Sequence, residues 1–170
     1  MKFCPMCGTT QDNANTTVCK LCDYEEKPIE KMPKEEIDEL MAPYEYEWIE
    51  DGARILRVRS SRDTSLRGKL AIPHFVTEIA AEAFAACKFL ARIDLPKKLR
   101  YIGDGAFAHC RDLFDLFIPE SVEYVGKGAF AQCYDLGVIS AAAAEQPCGW
   151  ASDWLADCDA KVEWSSTDEV

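Results

Sequence analysis

No stretch of this 170-residue chain is long and apolar enough to cross a bilayer. The most apolar part of its middle, Ile79 to Phe89, is broken by Glu82 and Lys88 and falls far short of the roughly 18 residues a span requires. An apolar signal core is lacking too, since Met1 leads straight into Cys4, so no secretory leader is expected. Basic residues are few against acidic ones: 19 Lys and Arg face 30 Asp and Glu, for a net charge of −11. The average field therefore repels phosphate backbones and anionic membrane surfaces, which disfavours nucleic acid as a partner.

Histidine is scarce, with His74 and His109 alone. His109 stands beside Cys110, but a nucleophile and its base need an orienting third group and a cleft. The Cys position recurs at Cys87 and Cys133 while the His position becomes Ala86 and Gln132, so a core ladder accounts for the cysteines. His74 follows Pro73 at a turn and is expected to be solvated. With no convergent polar constellation, catalysis is not expected.

Apolar residues, in contrast, make up 48% of the chain, enough to build a core. Nine cysteines are present. An odd count, no leader and two close pairs fit metal-bound and buried thiols in a reducing compartment better than a disulfide framework, and the cytoplasm is the expected location.

Composition divides the chain. Residues 1–24 hold four cysteines and few large apolar side chains, and cannot build a core unaided. Residues 25–43 form a charged linker with Pro28, Pro33 and Pro43; its run Lys34 to Met41 sets Ile37, Leu40 and Met41 at helical spacing, which predicts a short helix. The acidic side chains of that run, Glu35, Glu36, Asp38 and Glu39, read as a solvated helix face. Residues 44–164 are apolar and patterned, and 165–170 read as a frayed tail.

In the first segment, Cys4-Pro5-Met6-Cys7 and Cys19-Lys20-Leu21-Cys22 form two C-x2-C pairs eleven residues apart. That spacing lets two tight turns deliver four thiolates to one tetrahedral ion, and structural Zn2+ is the metal expected. Iron in a rubredoxin-like site and dithiol redox chemistry are the alternatives. With all four positions taken by Cys4, Cys7, Cys19 and Cys22, no site remains open for water or substrate. Cys4-Pro5-Met6-Cys7-Gly8 resembles the first knuckle of the small zinc ribbons that open many prokaryotic proteins; Asp23 stands where that family usually has Gly after its last Cys.

The patterned segment repeats every 23 residues. Ile72-Pro73, Leu95-Pro96 and Ile118-Pro119 keep this spacing, as do Ala83-Phe84, Ala106-Phe107 and Ala129-Phe130, and Cys87, Cys110 and Cys133. A fixed period in the twenties is the signature of a solenoid. Within Leu113 to Pro119 the Leu and Ile positions are expected to face inward along a short strand that the proline ends. Val122 and Val125 follow inward, Gly126 is read as permitting a tight turn, and Ala129, Phe130 and Cys133 fill the interior. Since Gly103 matches Gly126 but Ala80 holds the same place one unit earlier, glycine is read as helpful there and not obligatory. The segment 44–70, with Tyr46, Trp48, Ile55 and Val58 around Glu50-Asp51-Gly52, predicts a two-stranded N-terminal cap. After Ile139 the period fails, and Trp150, Trp154 and Trp164 supply bulk for a C-terminal cap.

The units with Ala-Phe-x-x-Cys followed by Leu-x-x-Ile or Leu-x-x-Leu resemble the BspA-type leucine-rich repeats, over about Tyr46 to Trp164. The resemblance implies an adhesion or protein-interaction module without catalytic residues. The fold class expected is thus a small zinc ribbon plus a β-rich leucine-rich-repeat solenoid with short helical turns. The function expected is a non-catalytic protein–protein interaction module, an intracellular adaptor, with zinc-ribbon nucleic-acid binding or regulation as the alternative. Arg92, Asp94, Phe114, Asp115, Phe117 and Val138, with Ser140, are expected to line one exposed face. Phe114 and Phe117 there form either a contact patch or ordinary packing against neighbouring repeats.

Overall fold

A chain whose apolar residues return every 23 positions can bury them only by winding back over itself, and the computed structural model shows this winding. The structure describes residues 2–3, 10–11, 32–50, 52–58 and 68–165. The chain divides into two compact units, 1–39 and 40–170.

In the first unit, strands β1 (Lys2–Phe3) and β2 (Thr10–Gln11) pair antiparallel, Lys2 opposite Gln11 and Phe3 opposite Thr10. The four candidate metal ligands Cys4, Cys7, Cys19 and Cys22 lie outside the described residues. Helix α1 (Lys34–Met41) forms where the spacing predicts it and carries Glu35 and Glu36 in its first turn, where negative charge complements the helix dipole. Pro33 begins it: its carbonyl accepts the Ile37 amide at 3.2 Å, and having no N–H it wastes no donor there.

The second unit is built of strands. A hairpin of β3 (Tyr44–Ile49) and β4 (Gly52–Val58) opens it. There follow β5 (Gly68–Ala71), β6 (Val76–Ile79), β7 (Leu90–Asp94), β8 (Tyr101–Ile102), β9 (Asp115–Ile118), β10 (Tyr124–Val125), β11 (Val138–Ala141) and β12 (Lys161–Trp164). They form two five-stranded sheets, in the orders β10-β8-β6-β4-β3 and β12-β11-β9-β7-β5. All neighbours are parallel except β3 and β4. Each winding gives one strand to each sheet. Winding begins earlier than the sequence landmarks suggest, because β4 and β5 already form a coil, with Lys69 paired to Arg92 and Leu70 to Ile93.

The core lies between the sheets. Phe84, Phe107 and Phe130 are fully buried and stack face to face, with centroids 5.0 and 5.2 Å apart and planes 14° and 4° from parallel. Beside them runs a ladder of thiols. Cys110 Sγ donates to the Phe84 carbonyl and Cys133 Sγ to that of Phe107, each at 3.2 Å, and Cys158 Sγ to that of Cys133 at 3.4 Å. Burial lifts the Cys87 thiol to about 11 and the Cys133 thiol to about 12. It raises Cys110 further above the usual thiol range, with neighbouring thiols adding to the effect.

Three sequence readings need correction. Gly126 is not a turn glycine: a Cβ there would lie 2.5 Å from the Asp104 nitrogen, and one at Gly103 would meet Ala81 and Ala80 backbone. The corners of successive coils touch backbone to backbone, which only glycine permits. Ala80 escapes because β4, with Ile55 paired to Ile79, runs on as a strand to Val58 where the later coils turn a corner. The left-handed positions fall elsewhere, at Glu82, Gly105 and Gly128 and at Ala86, His109 and Gln132. His74 is not freely solvated; its Nε2 is buried without a hydrogen-bond partner and its ring meets Phe75 edge-on at 5.3 Å. Finally, the winding does not stop at Ile139, and the cap expected after it is itself a further coil. β12 continues the sheet in register, Val162 opposite Ile139, while Trp150 bridges Val125 and Cys158 continues the thiol ladder.

Candidate functional site

Regular alternation along a strand sends every second residue outward, and the parallel register lines these residues up from coil to coil. On the outer face of the β12-β11-β9-β7-β5 sheet, Lys69, Arg92, Asp115, Val138 and Lys161 form one row. Ala71, Asp94, Phe117, Ser140 and Glu163 form the next. The structure therefore brings together five of the six residues singled out from sequence: Arg92, Asp94, Asp115, Phe117 and Val138. Phe114 precedes β9 by one position. Its amide donates to the Ala91 carbonyl and its carbonyl accepts from Gly137, both at 3.1 Å, so its ladder neighbours are two small residues.

Exposure decides between packing and patch. Phe114 is 51% exposed, Phe117 50% and Val138 38%, so neither phenylalanine is absorbed by neighbouring repeats. No aromatic ring contact engages either one among the described residues. The exposed aromatics of the other sheet differ: Trp48 meets Tyr46 and Phe75 at 5.6 and 5.8 Å, and Tyr101 stacks on Tyr124 at 4.5 Å.

Charges flank the apolar centre in pairs. Lys69 Nζ lies 2.9 Å from Asp94, Arg92 lies 3.6 Å from Asp94 and 3.5 Å from Asp115, and Lys161 Nζ lies 2.9 Å from Glu163. Such partly exposed pairs contribute little stability, about 0 to 1 kcal/mol each; here they cancel one another's field. Lys69, Lys161 and Glu163 were not singled out from sequence, yet 69, 92, 115, 138 and 161 keep the 23-residue step. Extending the register to both ends would have found them.

The other candidate chemistry dissolves in the structure. His109 is exposed and left-handed while the Cys110 side chain is buried and bonded to the Phe84 carbonyl, so the two do not form a dyad. Among the described residues, no group of three or more His, Cys, Asp or Glu could hold a metal ion, and no helix is long and apolar enough to cross a membrane.

Comparison with known proteins also finds leucine-rich repeats in this chain. Residues 62–144 match the BspA type leucine rich repeat region (6 copies). Among solved structures, a leucine-rich repeat protein from Bacteroides capillosus is 26% identical, with 73% of this chain and 95% of that one covered and a TM-score of 0.58. The T. pallidum leucine rich repeat protein is 22% identical over 58% of this chain and 69% of that one, with a TM-score of 0.33. A leucine rich cell surface protein from Faecalibacterium prausnitzii is 18% identical over 74% of this chain and 54% of that one, with a TM-score of 0.37. No curated protein matches the chain. The BspA-type repeats thus account for residues 62–144 of the solenoid, and none of these names specifies an activity.

Proposed function

We propose that the protein is a non-catalytic protein–protein interaction scaffold whose BspA-type repeats present the outer face of the β5-containing sheet to another protein. The observation that carries this reading is the exposed trio Phe114, Phe117 and Val138 on a regular, parallel-paired surface, bordered by paired charges. An apolar centre with a polar rim is the usual anatomy of a protein interface.

The four N-terminal cysteines complete the reading as a structural zinc ribbon. The β1–β2 pairing supports it, because the segment carrying Cys4 and Cys7 is what joins those two strands, as a zinc knuckle requires. A tetrahedral four-thiolate ion would supply folding energy, about 10 to 16 kcal/mol in such peptides, to a segment with few apolar residues. A reducing compartment such as the cytoplasm suits this set of thiolates, and suits Cys87, Cys110, Cys133, Cys148 and Cys158, all free.

The test compares full-length wild type with Phe117→Glu as immobilised bait. A protein retained by the wild type and lost from the variant, with both melting alike, is the expected outcome. Identical retention by both would mean that the contact lies elsewhere.

A further inference from the structure

The net charge of −11 is not spread evenly. Residues 40–144 carry 13 basic and 14 acidic side chains, whereas 1–39 and 145–170 together carry 6 basic and 16 acidic. Residues 40–144 hold four of the five strands of the exposed sheet and carry almost no net charge to repel a second copy. The exposed sheet face is neutral, with three cations, Lys69, Arg92 and Lys161, and three anions, Asp94, Asp115 and Glu163, held in pairs.

The order of those charges is also self-complementary. Each strand shows two residues outward, and on β7 and β12 these are one cation and one anion, Arg92 with Asp94 and Lys161 with Glu163. A two-fold axis lying in the interface across the strands exchanges the two outward residues of every strand. It sets Arg92 over Asp94 of the second copy and Lys161 over Glu163 of the second copy, each twice; at the centre Val138 lies over Ser140 and Phe117 over Asp115, whose carboxylate Arg92 of its own chain holds at 3.5 Å. Turning the axis along the strands would instead set Lys69 over Lys161 and Asp115 over itself, which opposes like charges.

We infer that the occupant of this face is a second copy of the chain, joined face to face with strands antiparallel about an axis across them. The inference rests on the interaction reading above and names its partner. Five strands spaced about 4.8 Å apart make a patch roughly 19 Å wide, which buries less than the about 800 Å² per partner of a standard interface. The dimer is therefore of the weak, transient class, expected to form in the micromolar to millimolar range of concentration.

Sedimentation equilibrium of the full chain, from about 5 µM to about 1 mM, spans that range. A monomer–dimer equilibrium is expected, weakened about tenfold or more by Phe117→Glu, as for a central interface anchor. Half exposure of Phe117 lets that variant fold, which a melting curve verifies. Lys161→Glu alone weakens association, and Lys161→Glu combined with Glu163→Lys restores it. When wild type is mixed with this doubly swapped chain, each pairs with its own kind, because a mixed dimer opposes like charges at β12. A chain monomeric to the highest concentration overturns the inference, as does a dimer indifferent to Phe117→Glu or one that mixes at random. A monomer that still captures another protein through Phe117 leaves the interaction reading standing with a different occupant. A monomer whose capture is indifferent to Phe117→Glu removes both.

Discussion

Removing the ring of Phe107 tests the architecture at its centre. The side chain is fully buried, with Phe84 stacked 5.0 Å away on one side and Phe130 5.2 Å away on the other. Phe107→Ala deletes a phenyl group and leaves a void between two rings that cannot close over it. Their spacing is held by the backbone ladder, with the Phe84 amide 2.8 Å from the Ala106 carbonyl and the Phe107 amide 2.7 Å from that of Ala129. The expected cost is about 4 to 5 kcal/mol, the upper part of the range for buried Phe→Ala. A domain of this size holds roughly 5 to 15 kcal/mol in all, so the variant sits near the threshold of folding. Phe107→Leu, which leaves a smaller void, loses less. Urea unfolding followed by far-UV circular dichroism measures both. A Phe107→Ala loss under about 1 kcal/mol would refute the column, since no fully buried phenylalanine is that cheap to truncate.

Gly126→Ala should destabilise the solenoid by about 2 kcal/mol or more through its clash with Asp104, while Gly137→Ala, with nothing within 4 Å of its Cβ, is nearly neutral; thermal melts compare them. Glu82 holds a left-handed φ of 57° where the next coils carry Gly105 and Gly128, so Glu82→Gly should raise stability by about 0.5 to 1 kcal/mol in urea titrations. Burial raises the thiol pKa of Cys87, Cys110 and Cys133 in the fold, so their contribution is complete below the unfolded thiol pKa of about 8.5 and declines as pH climbs toward the folded values. The unfolding free energy from urea titrations should fall between about pH 8.5 and about pH 11, by up to about 1.4 kcal/mol per pH unit for each thiol, and Cys110→Ala should flatten that slope. Elemental analysis of protein purified without added metal should find one zinc per chain, lost on Cys19→Ser; iron or no metal would refute the ribbon.

The solenoid was legible because burial and period coincide. Every residue at the Ile79, Phe84, Cys87, Leu90 and Ile93 positions is buried in the three coils that display the 23-residue step, so apolar recurrence alone gave the strands and the register. The exposed face was legible for a related reason, since the residues between inward positions must point out. What the sequence could not disclose is backbone proximity. Nothing in the letters at Gly103 and Gly126 distinguishes a φ requirement from a steric one, and the left-handed positions fall at Ala86, His109 and Gln132, residue types with no shared signature.

The ends were hardest to read, and the structure supplies a reason. A face-to-face column of rings can be extended indefinitely, and here each end is closed by a ring turned edge-on. Tyr44 meets Phe84 at 6.0 Å and 65°, and Trp154 meets Phe130 at 5.9 Å and 84°. An edge-on ring satisfies the face beneath it without offering a parallel face to a further coil. Neither residue obeys the period: Tyr44 lies on the antiparallel strand β3, and Trp154 belongs to a coil shifted by two residues. That coil pairs Val125 with Trp150 and hydrogen-bonds Cys158 to Cys133, steps of 25, before β12 returns to steps of 23. The extra length falls in the turn 142–149 and is recovered between Cys158 and Lys161. The shift turns the repeated Ala-Phe pair into Trp154-Leu155, replacing the small residue that stacking needs with the indole that closes the column. Termination is thus written as a departure from the repeat, which is why a search for the period stops where the cap begins.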